Sequence, residues 1–127
     1  MVYITYLRVG DFMQELENNR LRQRHQYKHH VLCYRCEADS LDEKPKVPFV
    51  FEITDISYGG MGITTENLIS PGCLLYFTLN AGASKREFSV QVKWCRYTGY
   101  NYTMGVAFRD VIREDILFLY QIVSRLS

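Results

Sequence analysis

A chain of 127 residues, 47% hydrophobic and 23% charged, has the length of one domain and enough apolar material to bury a core without disulfide staples. Its formal net charge of +1 excludes a strongly basic nucleic-acid coat, and no apolar run approaches the roughly 20 residues that a membrane-spanning helix needs. Neither disorder nor a repeat solenoid fits this composition.

Met1 to Val9 lacks the basic start and long apolar core of a secretory signal, so a cytoplasmic location is expected. In that compartment Cys33, Cys36, Cys73 and Cys95 read as reduced thiols that behave as small hydrophobes. Asp11-Phe12-Met13-Gln14 has capping-box spacing, and Phe12, Met13 and Leu16 share a face, which predicts a short helix over 12–19. A basic stretch follows: Arg20, Arg22, Arg24 and Lys28, with His25, His29 and His30 among and after them. Val31-Leu32-Cys33-Tyr34-Arg35-Cys36 is β-branched and aromatic enough for a strand, and polar residues 37–46, with Pro45, form a loop. A second strand over 47–54 delivers the chain to Asp55-Ile56-Ser57-Tyr58-Gly59-Gly60-Met61-Gly62.

Beyond those glycines, Ile63-Thr64-Thr65 is a short strand and Ser70-Pro71-Gly72 a turn. Leu74 to Leu79 alternates as a strand, and Ala81 to Ser84 turns the chain back. Phe88, Val90, Val92 and Trp94 then fall on one face of the next strand. A turn at 99–101 and a strand over 102–108 complete the set, and the short strands joined by tight turns predict a small antiparallel barrel, whose closure removes exposed edges. Ile112, Ile116, Leu119, Tyr120, Val123 and Leu126 recur at helical spacing, which predicts a C-terminal helix lying across the barrel or against another chain. The fold class is therefore mainly β: a six-stranded barrel domain over 20–127, with a helical extension over 1–19.

Two stretches carry chemistry. Arginine presents a planar fork of donors that suits phosphate oxygens and the O6 and N7 acceptors of guanine, and its flat face stacks on a purine. Arg20 and Arg24 share a face if helical and straddle a ligand if extended. Asp55 complements them by accepting hydrogen bonds from the guanine N1 and N2 donors, while Gly59 and Gly60 let backbone N–H groups approach a ligand. The bland alternative for Asp55 to Gly62 is a tight strand connection whose Asp and Ser satisfy nearby backbone groups, and both readings can hold together.

Arg20-x-x-x-Arg24 and Asp55-x-Ser57-x-x-Gly60 resemble the paired motifs of the PilZ family, bacterial receptors for cyclic di-GMP. The resemblance continues through Asn67 to Phe77, with its Pro71-Gly72 step, and through Val90 to Trp94 and Met104 to Phe108. It implies a non-enzymatic cytoplasmic receptor that binds cyclic di-GMP through Arg20, Arg24, Asp55, Ser57 and Gly60, with Arg22, Lys28 and Gly59 as further candidates. Such a receptor relays the second messenger to a protein partner in motility, biofilm or pilus control. It needs no cofactor and no nucleic-acid polymer, and a homodimer is open to it. The rival reading is a PilZ-like protein-interaction module without nucleotide. A second motif register, Arg24 with Lys28, is also available; Arg20 with Arg24 is preferred because Tyr27, His29, Val31 and Cys33 then alternate as a first strand should.

Cys33-x-x-Cys36 beside His29 and His30 suggests zinc or redox chemistry, but there is no second such pair, and strand positions three apart point to opposite faces. No metal site is assigned. No nucleophile, base and orienting residue recur at informative spacing, so no catalytic residue is assigned either.

Overall fold

The computed structural model describes residues 25–39, 44–57 and 59–125. The predicted helix over 12–19 and the arginines at 20, 22 and 24 lie outside them. Among the described residues seven elements run in order: β1 (His25–Glu37), β2 (Phe49–Ile56), β3 (Gly60–Thr65), β4 (Leu74–Ala81), β5 (Ser84–Tyr97), β6 (Tyr102–Phe108) and α1 (Arg113–Ser124). The strands pair antiparallel in the order β1-β2-β3-β6-β5-β4, and β4 returns to β1 to close the barrel.

Alternation builds the interior. Along β2 and β4 every second residue is buried for most of the strand, so Phe51, Ile53, Leu75, Phe77 and Leu79 point inward, joined by Ile63, Val90 and Met104 from the other walls. Phe51 meets Phe77 edge-on with ring centroids 5.3 Å apart, and Phe77 stacks near Phe88 at 6.4 Å. Phe88 in turn contacts Phe118 of α1 at 5.9 Å, which ties the helix to the barrel through one continuous aromatic chain.

Helix α1 buries Leu119, Tyr120 and Val123 as its periodicity requires, and also Phe118 and Ile122. Ile112 stays exposed because it stands before the first helical turn. Asp115 does two jobs there. Its Oδ2 accepts the Ile112 N–H at 3.0 Å, and its Oδ1 accepts from Arg86 Nε in a largely buried ion pair. Arg86→Ala should therefore lower stability by about 1 to 2 kcal/mol in denaturant unfolding, and Asp115→Ala by more, since it also removes the cap.

Three sequence expectations are corrected by strand register. β1 starts at His25, not near Val31, because the strand pairs with β2 along its first part and with β4 along its last. His29 does not join the buried alternation: it is exposed and stacks on Tyr27 with centroids 5.6 Å apart, since the β1–β2 register slips between Gln26 and His29. Cys33 and Cys36 do not face opposite ways; a slip between Cys33 and Arg35 against β4 brings Cys36 back toward the core beside buried Cys33.

Candidate functional site

Asp55 sits where β2 bulges. The register against β3 shifts between Ile53 and Asp55, which places Asp55 opposite Gly62. Its Oδ1 accepts the Gly62 N–H at 3.1 Å, and a Cβ at position 62 would stand only 2.6 Å from Oδ2, so the carboxylate rests on the bare glycine backbone. Ser57 closes the following turn: its N–H donates to Gly60 O at 2.9 Å, and its hydroxyl lies 3.4 Å from the same oxygen. Gly60 is buried against β6, where a Cβ would meet Val106 O at 2.2 Å. The expected glycine turn is thus shorter than the motif, because Gly60 and Gly62 already belong to β3. Gly59 differs from both. It is exposed, and nothing stands within 4 Å of where its Cβ would be.

The pairing of neighbouring strands extends this turn into a row. Asp55 opposes Gly62, Gly62 opposes Gly105, and Gly105 opposes Trp94. Directly opposed residues project to the same face, so a carboxylate and an indole stand at the two ends of a floor made of two glycines. Three strand spacings separate the end backbones, roughly 14 Å. Trp94 lies flat across Gly105: a Cβ there would come within 2.2 Å of the indole Nε1.

Trp94 does not share the face of Phe88, Val90 and Val92 that the alternation predicts. The register slip between Val92 and Trp94 turns it outward, where it is 47% exposed. The Arg96 guanidinium stands 5.8 Å from its ring centroid. Ser57, Gly59, Gly60, Lys93, Trp94 and Gly105 border an open cleft of about 220 Å³. A larger groove of about 560 Å³ lies between His30, Glu52, Thr64 and Asn101, away from the motif residues. Among the described residues no group of three His, Cys, Asp or Glu is placed to hold a metal ion.

The family model of the PilZ domain matches residues 18–124. The chain belongs to the PilZ family. PilZ domains are binding and adaptor modules, and the family is one of cyclic di-GMP receptors, as the paired motifs indicated. No curated protein matches the chain.

Of the expected PilZ site residues, the barrel brings Ser57, Gly59 and Gly60 to the cleft and sets Asp55 in the adjoining row; Arg20, Arg22 and Arg24 are outside the described residues. Lys28 is exposed on β1, within the slip between Gln26 and His29. Sequence reasoning missed Lys93 and Trp94. No local signal marked them, because in the sequence Trp94 continues the Phe88, Val90, Val92 alternation and Lys93 reads as an ordinary solvent-facing residue. Among the described residues no helix is long and apolar enough to cross a membrane.

Proposed function

We propose that this PilZ domain binds cyclic di-GMP between the Arg20–Arg24 stretch and the outer row from Asp55 to Trp94, and passes the signal to a protein partner. The observation that carries the reading is the start of β1. His25 pairs with Ile56 and Gln26 with Asp55, so the chain enters the barrel wall beside the Asp-Ser-Gly turn. Arg24 is the next residue upstream, and Arg20 is within roughly 18 Å of His25 by chain length alone.

The two sides are chemically complementary to one guanine nucleotide. Arginine forks take the phosphates and the O6/N7 edge, and Asp55 accepts from N1 and N2, which arginine cannot do. Trp94 offers a face for the purine, and the bare glycines let the indole and the Asp55 carboxylate lie close against the sheet. Gly59 leaves room for close approach at the rim. A ligand bridging the basic stretch and the wall creates a composite surface for the partner to read.

Calorimetric titration with cyclic di-GMP, with GTP and cyclic GMP as controls, tests this directly. Saturable binding near micromolar, about −8 kcal/mol, is expected. Asp55→Ala should cut the preference for cyclic di-GMP over cyclic di-AMP by roughly ten- to a hundredfold, the worth of a charged hydrogen bond. An unchanged preference removes Asp55 from the base contact. Absence of heat with the wild-type chain leaves the nucleotide-free interaction module as the reading.

A further inference from the structure

Three of the cysteines converge at the far end of the β1–β4 seam, in a place the ligand site does not use. Cys36 opposes Leu75, and Cys73 stands one residue before β4, on the diagonal from Cys36. Cys73 is part of the buried core, and Cys36 packs against that core from the neighbouring strand. Cys33 is engaged elsewhere, its thiol donating to Arg35 O at 3.2 Å. Exposure divides the roles: Cys73 is fully buried, whereas Cys36 is only partly covered. Cys95 belongs to β5, opposite Met104 on β6.

We infer that Cys36 and Cys73 form a latent oxidation site, in which a hydroperoxide converts the pair of thiols into a disulfide joining β1 to the entrance of β4. The Cys36 thiolate attacks one peroxide oxygen, the O–O bond breaks, and a sulfenic acid and one water result. Cys73 sulfur then displaces the sulfenic hydroxyl, which leaves as a second water with the Cys73 proton. Two thiols lose two electrons in all, and one hydrogen peroxide becomes two waters. The bond fixes the Pro71–Gly72 turn to the end of β1. That turn is already held to β5, since Gly72 N–H donates to Val92 O at 2.7 Å and Val92 N–H to Cys73 O at 2.9 Å.

The surroundings make the site slow at neutral pH. Burial, with the neighbouring Cys73 and Cys33, pushes the Cys36 thiol up to about 11, against the smaller opposing pull of Lys44. Well below that value the thiolate fraction, and with it the rate, grows tenfold per pH unit.

The test is to treat the full chain with hydrogen peroxide at pH 8 and pH 9, quench in acid, denature, alkylate and map the products by mass spectrometry. Two of the four thiols should become unavailable, with a peptide link between Cys36 and Cys73 and about a tenfold faster onset at pH 9. Cys36→Ser should leave its three remaining thiols alkylatable under the same treatment. Retention of all four thiols in the wild type, a link to Cys33 or Cys95, or a link between chains overturns the inference. Mapping the wild-type link decides the matter even where the variant fails to fold.

Discussion

Arg24→Ala should weaken cyclic di-GMP binding by roughly one to two powers of ten, because it removes a charge-assisted contact worth about 1.5 to 3 kcal/mol. Arg24 immediately precedes the His25–Ile56 pair in the sequence, two residues from Gln26, the partner of Asp55. Arg20→Ala should show a loss of similar size and Lys28→Ala a small one. Lys28 lies on the strand itself, and a lysine ammonium lacks the two-pronged geometry of the guanidinium. Titration of the three variants reads this out. If Lys28→Ala abolishes binding while Arg20→Ala changes nothing, the basic motif is Arg24 with Lys28.

Gly60→Ala should destabilise the fold by about 3 kcal/mol, lowering the melting temperature by roughly 10 °C. The new methyl group meets the β6 backbone, Val106 O at 2.2 Å and Ala107 Cα at 3.2 Å, and backbone cannot swing aside as a flexible side chain can. β3 has to part from β6, straining the Gly60–Ala107 and Met61–Val106 pairs. Gly59→Ala is the control. With open space around it, that substitution should leave stability within about 0.5 kcal/mol, and any effect it has should fall on ligand binding alone. An unchanged melting temperature for Gly60→Ala means that β3 and β6 are not in such close contact. The motif glycine therefore has a packing role whatever the ligand does.

Ser57 and Asp55 likewise have a role in the fold. Each makes hydrogen bonds to the turn it belongs to, Ser57 at Gly60 O and Asp55 at the Gly62 N–H. These contacts hold the β2–β3 connection in one shape, and a rigid frame lowers the ordering cost of binding. The bland reading of the motif, in which its Asp and Ser satisfy nearby backbone groups, therefore holds for both residues.

Period-two alternation made β4, β6 and the first part of β5 legible, and the observed limits of β6, Tyr102–Phe108, agree with the predicted ones. It failed at Cys36 and Trp94, both just past a register slip. A bulge inserts one residue, so every side chain beyond it changes face, and whether the extra residue is accommodated depends on the partner strand. Local composition around Trp94 carries no trace of that partner. His29 was misread for the same reason.

Hydrophobic periodicity, turn residues and two short motifs were enough, read along the chain, to specify a closed antiparallel barrel with a terminal helix and its PilZ membership. Those signals are local, each acting within a few residues. Assembly of Asp55, Gly62, Gly105 and Trp94 into one row was decided by the folded barrel alone, because that row is made of strand registers between residues remote in the chain. Backbone hydrogen bonding sets those registers, and no single segment encodes them.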